Sequence, residues 1–169
     1  MLKRVLSLVL ALSLAGCGYG FRGTVSYLPQ EIKTVAIPYL TNQTGEAGLE
    51  VLITEALIRE FNRSKLLKLT DIGRADVVLS GKIKGLSTRA VAFEDVRTAL
   101  QRRVTVSMEM ELVQRRDQRV LWRSRAVSDG QDYDVGSGST ATETNREEAL
   151  QELAKSVAVK VHDSIFENF

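Results

Sequence analysis

The stretch that decides the fold is residues 104–113, Val-Thr-Val-Ser-Met-Glu-Met-Glu-Leu-Val, in which apolar and polar side chains alternate without a break. Successive side chains of a β-strand point to opposite faces of the sheet, so this period of two predicts a strand with one buried and one wet face. A charged turn at 114–118 follows directly, and 120–127 is predicted to be the returning strand. The sequence therefore predicts an antiparallel hairpin built on this stretch.

A second alternating strand is predicted upstream, at residues 76–86. Val77, Leu79 and Ile83 fall on one side of this strand, and lysines and a serine fall on the other. The segment 87–103 joins the two alternating strands, and its sequence fits two structures. It either extends both strands beyond the core or forms a loop.

A strand, a helix and another strand are predicted nearer the N-terminus. Residues 32–38 are apolar and end at a proline, which cannot donate to a β-ladder. A loop is expected at 41–45. Apolar residues recur at helical spacing over 46–63, and 66–70 indicates a short strand. A strand–helix–strand connection of this kind favours two parallel strands.

A second helix is predicted to follow a polar loop at 129–141 and to run to the C-terminus. It begins at a capping box, either Thr144 with Glu147 or, one turn earlier, Thr140 with Glu143. Both helices are amphipathic, so each needs a partner for its apolar stripe. The fold class expected is α+β, a mixed sheet of four to five strands with two α-helices packed on one face.

The N-terminus predicts a lipid anchor. Two basic residues precede the apolar run 5–14, which is too short to span a bilayer and is typical of a signal peptide. Leu14-Ala15-Gly16-Cys17 resembles the lipobox of bacterial lipoproteins, which implies cleavage before Cys17 and lipidation of its sulfur. The next residue, Gly18, is not the aspartate that tends to retain lipoproteins at the inner membrane. The alternative is an ordinary secreted protein with a free or buried cysteine.

Three segments follow from this interpretation. Residues 1–16 are the lipoprotein signal peptide, 17–31 form a lipidated extended leader rich in glycine, and 32–169 form one domain. Two of the 23 basic residues lie in the signal peptide, and those that remain equal the 21 acidic residues in number. Because the mature chain has no net basic field, we expect no nucleic-acid partner.

Catalysis, cofactors and metals are not expected. Cys17 is the only cysteine and His162 the only histidine, and no nucleophile, phosphate-loop or zinc motif is present. Glu109 and Glu111 share a strand face, where a solvated surface is a more common role than a catalytic pair. An enzyme acting on cell-wall or lipid substrates is therefore the least favoured function.

Arginines are the candidate binding residues. Arg89, Arg97, Arg102 and Arg103 border the segment of uncertain structure, and others lie on the hairpin that follows. The guanidinium fork suits phosphates, and lipopolysaccharide is an obvious phosphate-bearing amphiphile for an envelope protein. Two alternatives stay open. The arginines pair with acids such as Glu109 and Glu111 across the wet face, or they contact a protein partner.

Short motifs in a fixed order give a resemblance to a known family. They are Cys17-Gly18-Tyr19, Phe21-Arg22-Gly23, Leu28-Pro29, Ile32, Val35-Ala36-Ile37-Pro38, Asn42-x-Thr44, Gly48-Leu49-Glu50, Ala56-Leu57, Glu60-Phe61, Ala75-Asp76-Val77-Val78-Leu79, Gly81-Lys82-Ile83, Asn145-Arg146, Glu148-Ala149-Leu150 and Leu153-Ala154. This ordered set resembles the LptE family of lipopolysaccharide-assembly lipoproteins over nearly the whole mature chain. Residues 87–103 and 129–141 follow no family pattern.

The resemblance implies an α+β plug inside the LptD β-barrel, anchored by lipid to the periplasmic side of the outer membrane. It implies a non-covalent role in lipopolysaccharide transport and assembly, with LptD and lipopolysaccharide as partners. A wide outer-membrane barrel has a polar interior, which suits a plug of mixed charge. The alternative is a periplasmic scaffold lipoprotein of another envelope or secretion complex.

Overall fold

The computed structural model describes residues 28–93 and 99–166. The predicted signal peptide, Cys17 and most of the leader lie outside the described residues. The elements in chain order are β1 (Thr34–Ala36), β2 (Thr41–Asn42), α1 (Leu49–Ser64), β3 (Lys68–Leu69), β4 (Val77–Phe93), β5 (Ala99–Gln114), β6 (Val120–Asp134) and α2 (Ser139–Phe166).

The strands form one mixed sheet in the order β3-β1-β4-β5-β6, and β2 pairs separately with β4. β1 pairs in parallel with β3, as the strand–helix–strand connection predicts, and it also pairs in parallel with β4. β4, β5 and β6 pair antiparallel, which confirms the hairpin. The fold class is confirmed as α+β. The sixth strand is the two-residue β2, which lies inside the predicted loop 41–45.

The three antiparallel strands are longer than the alternating pattern indicated. β4 reaches Phe93 and β5 begins at Ala99, so the uncertain segment extends both strands, apart from residues outside the described part. β6 continues to Asp134, which corrects the loop predicted to begin at residue 129. The reason is that this part of β6 pairs with β5 through its backbone but has a single buried apolar side chain, Tyr133, so it shows no regular apolar signal.

Both helices cover the same face of the sheet. The apolar side chains of β5 are buried there with those of both helices, and Phe61, Ile53 and Leu57 of α1 are among the most deeply buried residues. α1 begins after Gly48, whose φ of 84° lies in the left-handed region that glycine adopts most readily. α2 begins at Ser139, close to the earlier of the two predicted capping boxes.

Two contacts fix the register of β4 in its N-terminal half. Gly81 faces Met110 of β5, and a side chain at Gly81 would meet the Met110 sulfur and the Glu109 backbone carbonyl. Asp76 lies directly before β4 and accepts hydrogen bonds from the backbone N–H groups of Lys33 and Thr34, at 3.0 and 2.9 Å. The first contact requires the smallest residue, and the second ties β1 to β4.

Candidate functional site

The candidate site is the end of the sheet where β4, β5 and β6 extend past the rest of the domain. We call residues 87–93, 99–103 and 131–134 the tip. In the β4 segment of the tip the side chains are exposed with the exception of Ala92. Nearer the start of β4, the face that carries Val77, Leu79 and Ile83 is buried under the helices. The tip therefore presents strand side chains to solvent, as a binding surface requires.

Arg89 and Arg103 lie on one row of the tip, on the face opposite the helices. They are direct partners in the β4–β5 register, and Arg103 is also the partner of Asp132 on β6. Arg103 donates to both oxygens of the Asp132 carboxylate, at 2.5 Å from Nε and 2.7 Å from Nη2. This hydrogen bonding holds the pKa of Asp132 below its usual value and raises the pKa of Arg103.

The remaining two predicted arginines do not join this row. Arg102 is the register partner of Ala90 and Tyr133, so alternation along β5 places it on the helix side of the sheet. Arg97 lies outside the described residues. The structure thus brings Arg89 and Arg103 together, separates Arg102 from them by the thickness of the sheet, and leaves the position of Arg97 untested.

Apolar residues at the tip are a feature that the sequence reasoning missed. Phe93 is 56% exposed, and Val91 and Leu100 are each 46% exposed. Exposed large apolar side chains beside arginines suit a ligand that combines phosphate with hydrocarbon. The sequence does show these large apolar residues in the same segment as the arginines. It does not show whether their side chains are buried or exposed, so it could not identify them as part of a surface.

Three of the hairpin arginines beyond the tip have structural partners. Arg123 donates to Glu111 at 2.8 Å, Arg115 donates from Nε to the Ala75 carbonyl at 2.8 Å, and Arg119 donates to the Gln114 side chain at 3.0 Å. For Arg123, the alternative of pairing across the wet face is confirmed. A shallow cleft on this face mixes both signs of charge, and its charged lining residues are Lys82, Glu109, Glu111, Arg123 and Arg125.

Two of the matched short motifs stabilise the fold. Asn42 donates through Nδ2 to the Glu46 carbonyl and to the Glu50 carboxylate, both at 2.7 Å, and accepts from Thr44. A backbone hydrogen bond and the Asn42 side chain lower the pKa of Glu50. Arg146 of α2 pairs with Glu46 ahead of α1 and with Glu143 one turn earlier, at 2.9 Å in the second case. These contacts hold the loop that precedes α1 against the first turn of α1 and against α2.

Replacing Arg146 by alanine is expected to destabilise the domain by about 1–3 kcal/mol. Its side chain is only 19% exposed and its pKa is raised, chiefly by the hydrogen bond to Glu46, so removing it leaves Glu46 without a partly buried partner. Chemical denaturation measures the change. Arg59→Ala is the matched control because the Arg59–Glu55 pair is exposed, and we expect it to change stability by about 0.5 kcal/mol or less. Equal effects of the two variants would contradict this role.

His162 lies in the core rather than at the tip. Its ring packs edge-on against Phe61, with centroids 5.3 Å apart, and 4.7 Å from the centroid of Phe166. Its Nδ1 atom is 3.0 Å from the Asp163 carboxylate. This position gives the imidazole a packing role at the C-terminal end of α2.

The described part of the chain contains neither a metal-binding cluster nor a membrane-spanning helix. No group of three or more His, Cys, Asp or Glu side chains within residues 28–93 and 99–166 is placed to hold a metal ion. None of the helices in the same part of the chain is both long enough and apolar enough to cross a membrane.

Comparison with known proteins gives one family. The model of the family described as "LptE: Lipopolysaccharide-assembly" matches residues 32–165, which confirms the resemblance seen in the sequence. No curated protein matches the chain significantly.

Solved structures with the same fold include two lipoproteins and PelC, all of low sequence identity. The chain is similar to uncharacterized lipoprotein B from Nitrosomonas europaea, with 15% identity over 88% of this chain and 90% of that chain and a TM-score of 0.57. It is also similar to rare lipoprotein B from Shewanella oneidensis, with 15% identity over 77% and 92% and a TM-score of 0.51. PelC from Paraburkholderia phytofirmans, solved as a dodecamer, has 15% identity over 79% and 88% and a TM-score of 0.52. At these identities the likeness shows a shared fold alone.

Proposed function

Because the chain belongs to the LptE family of lipopolysaccharide-assembly proteins, we propose that it is an outer-membrane lipoprotein that plugs the LptD β-barrel and assists lipopolysaccharide transport and assembly. Lipidation at Cys17 anchors it on the periplasmic side of the membrane. The role is non-covalent, with no cofactor, and the tip contacts lipopolysaccharide. The family match over residues 32–165 is the observation that carries the proposal.

The surface of the domain supports the role of a plug. One face of the sheet is covered by the two helices, and the other is lined in its centre by serine, lysine, glutamate and arginine side chains. The lumen of a large outer-membrane barrel is polar and lined by both signs of charge. A surface of paired opposite charges enters such a lumen without the desolvation penalty of an unpaired charge.

The point where the chain enters the domain and the proposed binding surface lie at opposite ends of the sheet. The described chain begins at Leu28, close to β1, and β1 pairs with the first residues of β4. The tip lies at the other end of β4, roughly 50 Å away for 16 residues of extended strand. The leader therefore joins the domain at one end, and the arginines and exposed apolar side chains of the tip lie at the other.

Co-purification tests the partner. The tagged full-length protein, extracted from membranes in mild detergent, is expected to come out with LptD in a stable complex. Intact mass measurement of the same material is expected to show an acylated chain that begins at Cys17. Recovery of the protein alone would favour a scaffold lipoprotein of another envelope complex, and an unmodified, soluble mature chain would overturn the anchor.

Charge removal at the tip tests lipopolysaccharide binding. The double variant Arg89→Ala with Arg102→Ala is expected to bind purified lipopolysaccharide at least tenfold more weakly, since the loss of even one charged hydrogen bond, about 1.5 kcal/mol, lowers affinity about tenfold. The wild-type affinity is expected to fall with added salt. Arg59→Ala with Arg74→Ala, two exposed arginines away from the tip, is the matched control. Equal affinities of the two double variants would remove the tip from the binding site.

A further inference from the structure

Beyond Ile83, toward Phe93, the edge of β4 that faces away from β5 lacks a neighbouring strand. β2 pairs with β4 only at Lys82 and Ile83, and the last hydrogen bond on this side runs from the Gln43 N–H to the Ile83 carbonyl, at 3.0 Å. On this side β1 pairs with β4 only at Val77 and Val78, and within residues 28–93 and 99–166 no strand pairs with this side of β4 between Lys84 and its end at Phe93. A row of backbone N–H and C=O groups is therefore presented along residues 84–93.

The opposite edge of the sheet is capped. β6 is the last strand on that side, and α2 supplies donors to two of its backbone carbonyls. Lys160 Nζ donates to the Ser128 carbonyl at 2.6 Å, and Asn145 Nδ2 donates to the Asp134 carbonyl at 2.9 Å. Covering an edge with a helix is one way in which proteins prevent unwanted strand pairing. The β6 edge of the sheet is thus protected by α2, and the β4 edge beyond Ile83 shows no comparable contact among the described residues.

The open edge contains a regular segment of ordinary strand length. Register shifts leave Lys84 and Val91 without a β5 partner, and Gly85 to Ala90 pair in unbroken register with Ser107 to Arg102. Bulges bend a strand and interrupt pairing, so these two shifts delimit the segment. Six residues, or about 20 Å, is the usual length of a strand in a globular protein.

The charge of β4 favours an acidic occupant. Between Val77 and Phe93 the strand contains Lys82, Lys84 and Arg89 and no acidic residue. Pairing two copies of this edge would place two strands of only positive charge side by side, which is destabilising. A segment that carries carboxylates would instead place opposite charges across the new pair.

We propose that residues 85–90 of β4 accept an added β-strand from an acidic, extended segment of the barrel protein, an inference that rests on the proposed function. Strand addition of this kind takes its affinity from backbone hydrogen bonds and its specificity from the alternating side chains. A closed barrel wall has no free strand edge. The added strand therefore comes from a loop or a terminal extension of the barrel protein.

Hydrogen exchange, measured on the isolated chain and on its complex with LptD, tests this inference. The amides within residues 85–90 that point away from β5 are expected to exchange at least tenfold more slowly in the complex, while those of 128–134, on the capped edge, change little. A complex that forms without slowing exchange at 85–90 would overturn the added strand and leave the proposed function standing. Slow exchange of these outward-pointing amides in the isolated chain, whether from self-association or from its own N-terminal leader, would also overturn it. Failure to form the complex would overturn both.

A charge reversal gives a second measurement. Lys84→Glu is expected to speed dissociation of the complex about three- to tenfold, because it places a carboxylate beside an acidic strand. Lys155→Glu is the matched control, since Lys155 lies on the exposed side of α2 in a solvent-exposed pair with Glu152, and its dissociation rate should equal that of the wild type. Equal rates for the two variants would contradict an acidic occupant.

Discussion

Replacing Gly81 by alanine is expected to lower the free energy of unfolding by about 2–3 kcal/mol, the largest effect that we expect from a single added methyl group. A Cβ atom at this position would lie 2.2 Å from the Met110 sulfur and 2.7 Å from the Glu109 carbonyl oxygen. The methionine side chain can move, but the carbonyl belongs to the paired backbone of β5. Relief therefore requires a shift of two central strands. Thermal unfolding is expected at a midpoint roughly 4–12 °C lower.

A matched glycine controls for the change in backbone freedom. No atom lies within 4 Å of the Cβ that alanine would add at Gly73, so Gly73→Ala removes the same conformational freedom without a clash. We expect its unfolding midpoint to equal or exceed that of the wild type. Adding Met110→Ala to Gly81→Ala separates the two contacts, because the contact with the Glu109 carbonyl remains. Wild-type stability of Gly81→Ala would show that β4 and β5 separate more easily than the register indicates.

Replacing Asp76 by alanine is expected to cost about 2–3 kcal/mol, because one carboxylate oxygen accepts three hydrogen bonds. They come from the backbone N–H groups of Lys33 and Thr34 and from the Thr34 hydroxyl, the last at 2.7 Å. The Thr34 hydroxyl also accepts from the Asp76 N–H, at 2.9 Å. β1 has only three residues, so this carboxylate supplies much of its attachment to β4. Asp71→Ala, which removes an exposed ion pair with Arg74, is the control and is expected to cost about 0.5 kcal/mol or less.

The same carboxylate gives a pH dependence of known sign. Hydrogen bonds from Thr34 and Lys33 hold the pKa of Asp76 below its usual value. A carboxyl whose folded pKa is depressed stabilises the fold above its unfolded pKa of about 3.9, and this contribution is lost as the pH falls toward the folded pKa. Between about pH 5 and pH 3 the wild type should therefore lose more stability than Asp76→Asn. Glu50 and Asp132 also have lowered pKa values but are present in both proteins, so the difference isolates Asp76. Parallel acid curves would contradict this assignment.

The sequence by itself determined the fold class and the family. The alternation at 104–113 gives the hairpin, and the strand–helix–strand order gives the parallel pairing of β1 and β3, because burial of one face imposes a period on each element. The ordered short motifs give the LptE family, which the family match over residues 32–165 confirms. Lipidation at Cys17 stays a prediction, since it depends on a local motif outside the described residues.

Only the tertiary structure decided where the strands end and which arginines meet. Strands at the tip are held mainly by backbone pairing, and Tyr133 is a single buried side chain among exposed and half-buried ones, so the sequence there shows no regular hydrophobic period. Arg102 and Arg103 are adjacent in sequence, yet the pleat places them on opposite faces, and Arg89 reaches Arg103 only through the β4–β5 register. That register is shifted at Lys84 and Val91, and such irregularities depend on contacts between strands that are distant in sequence.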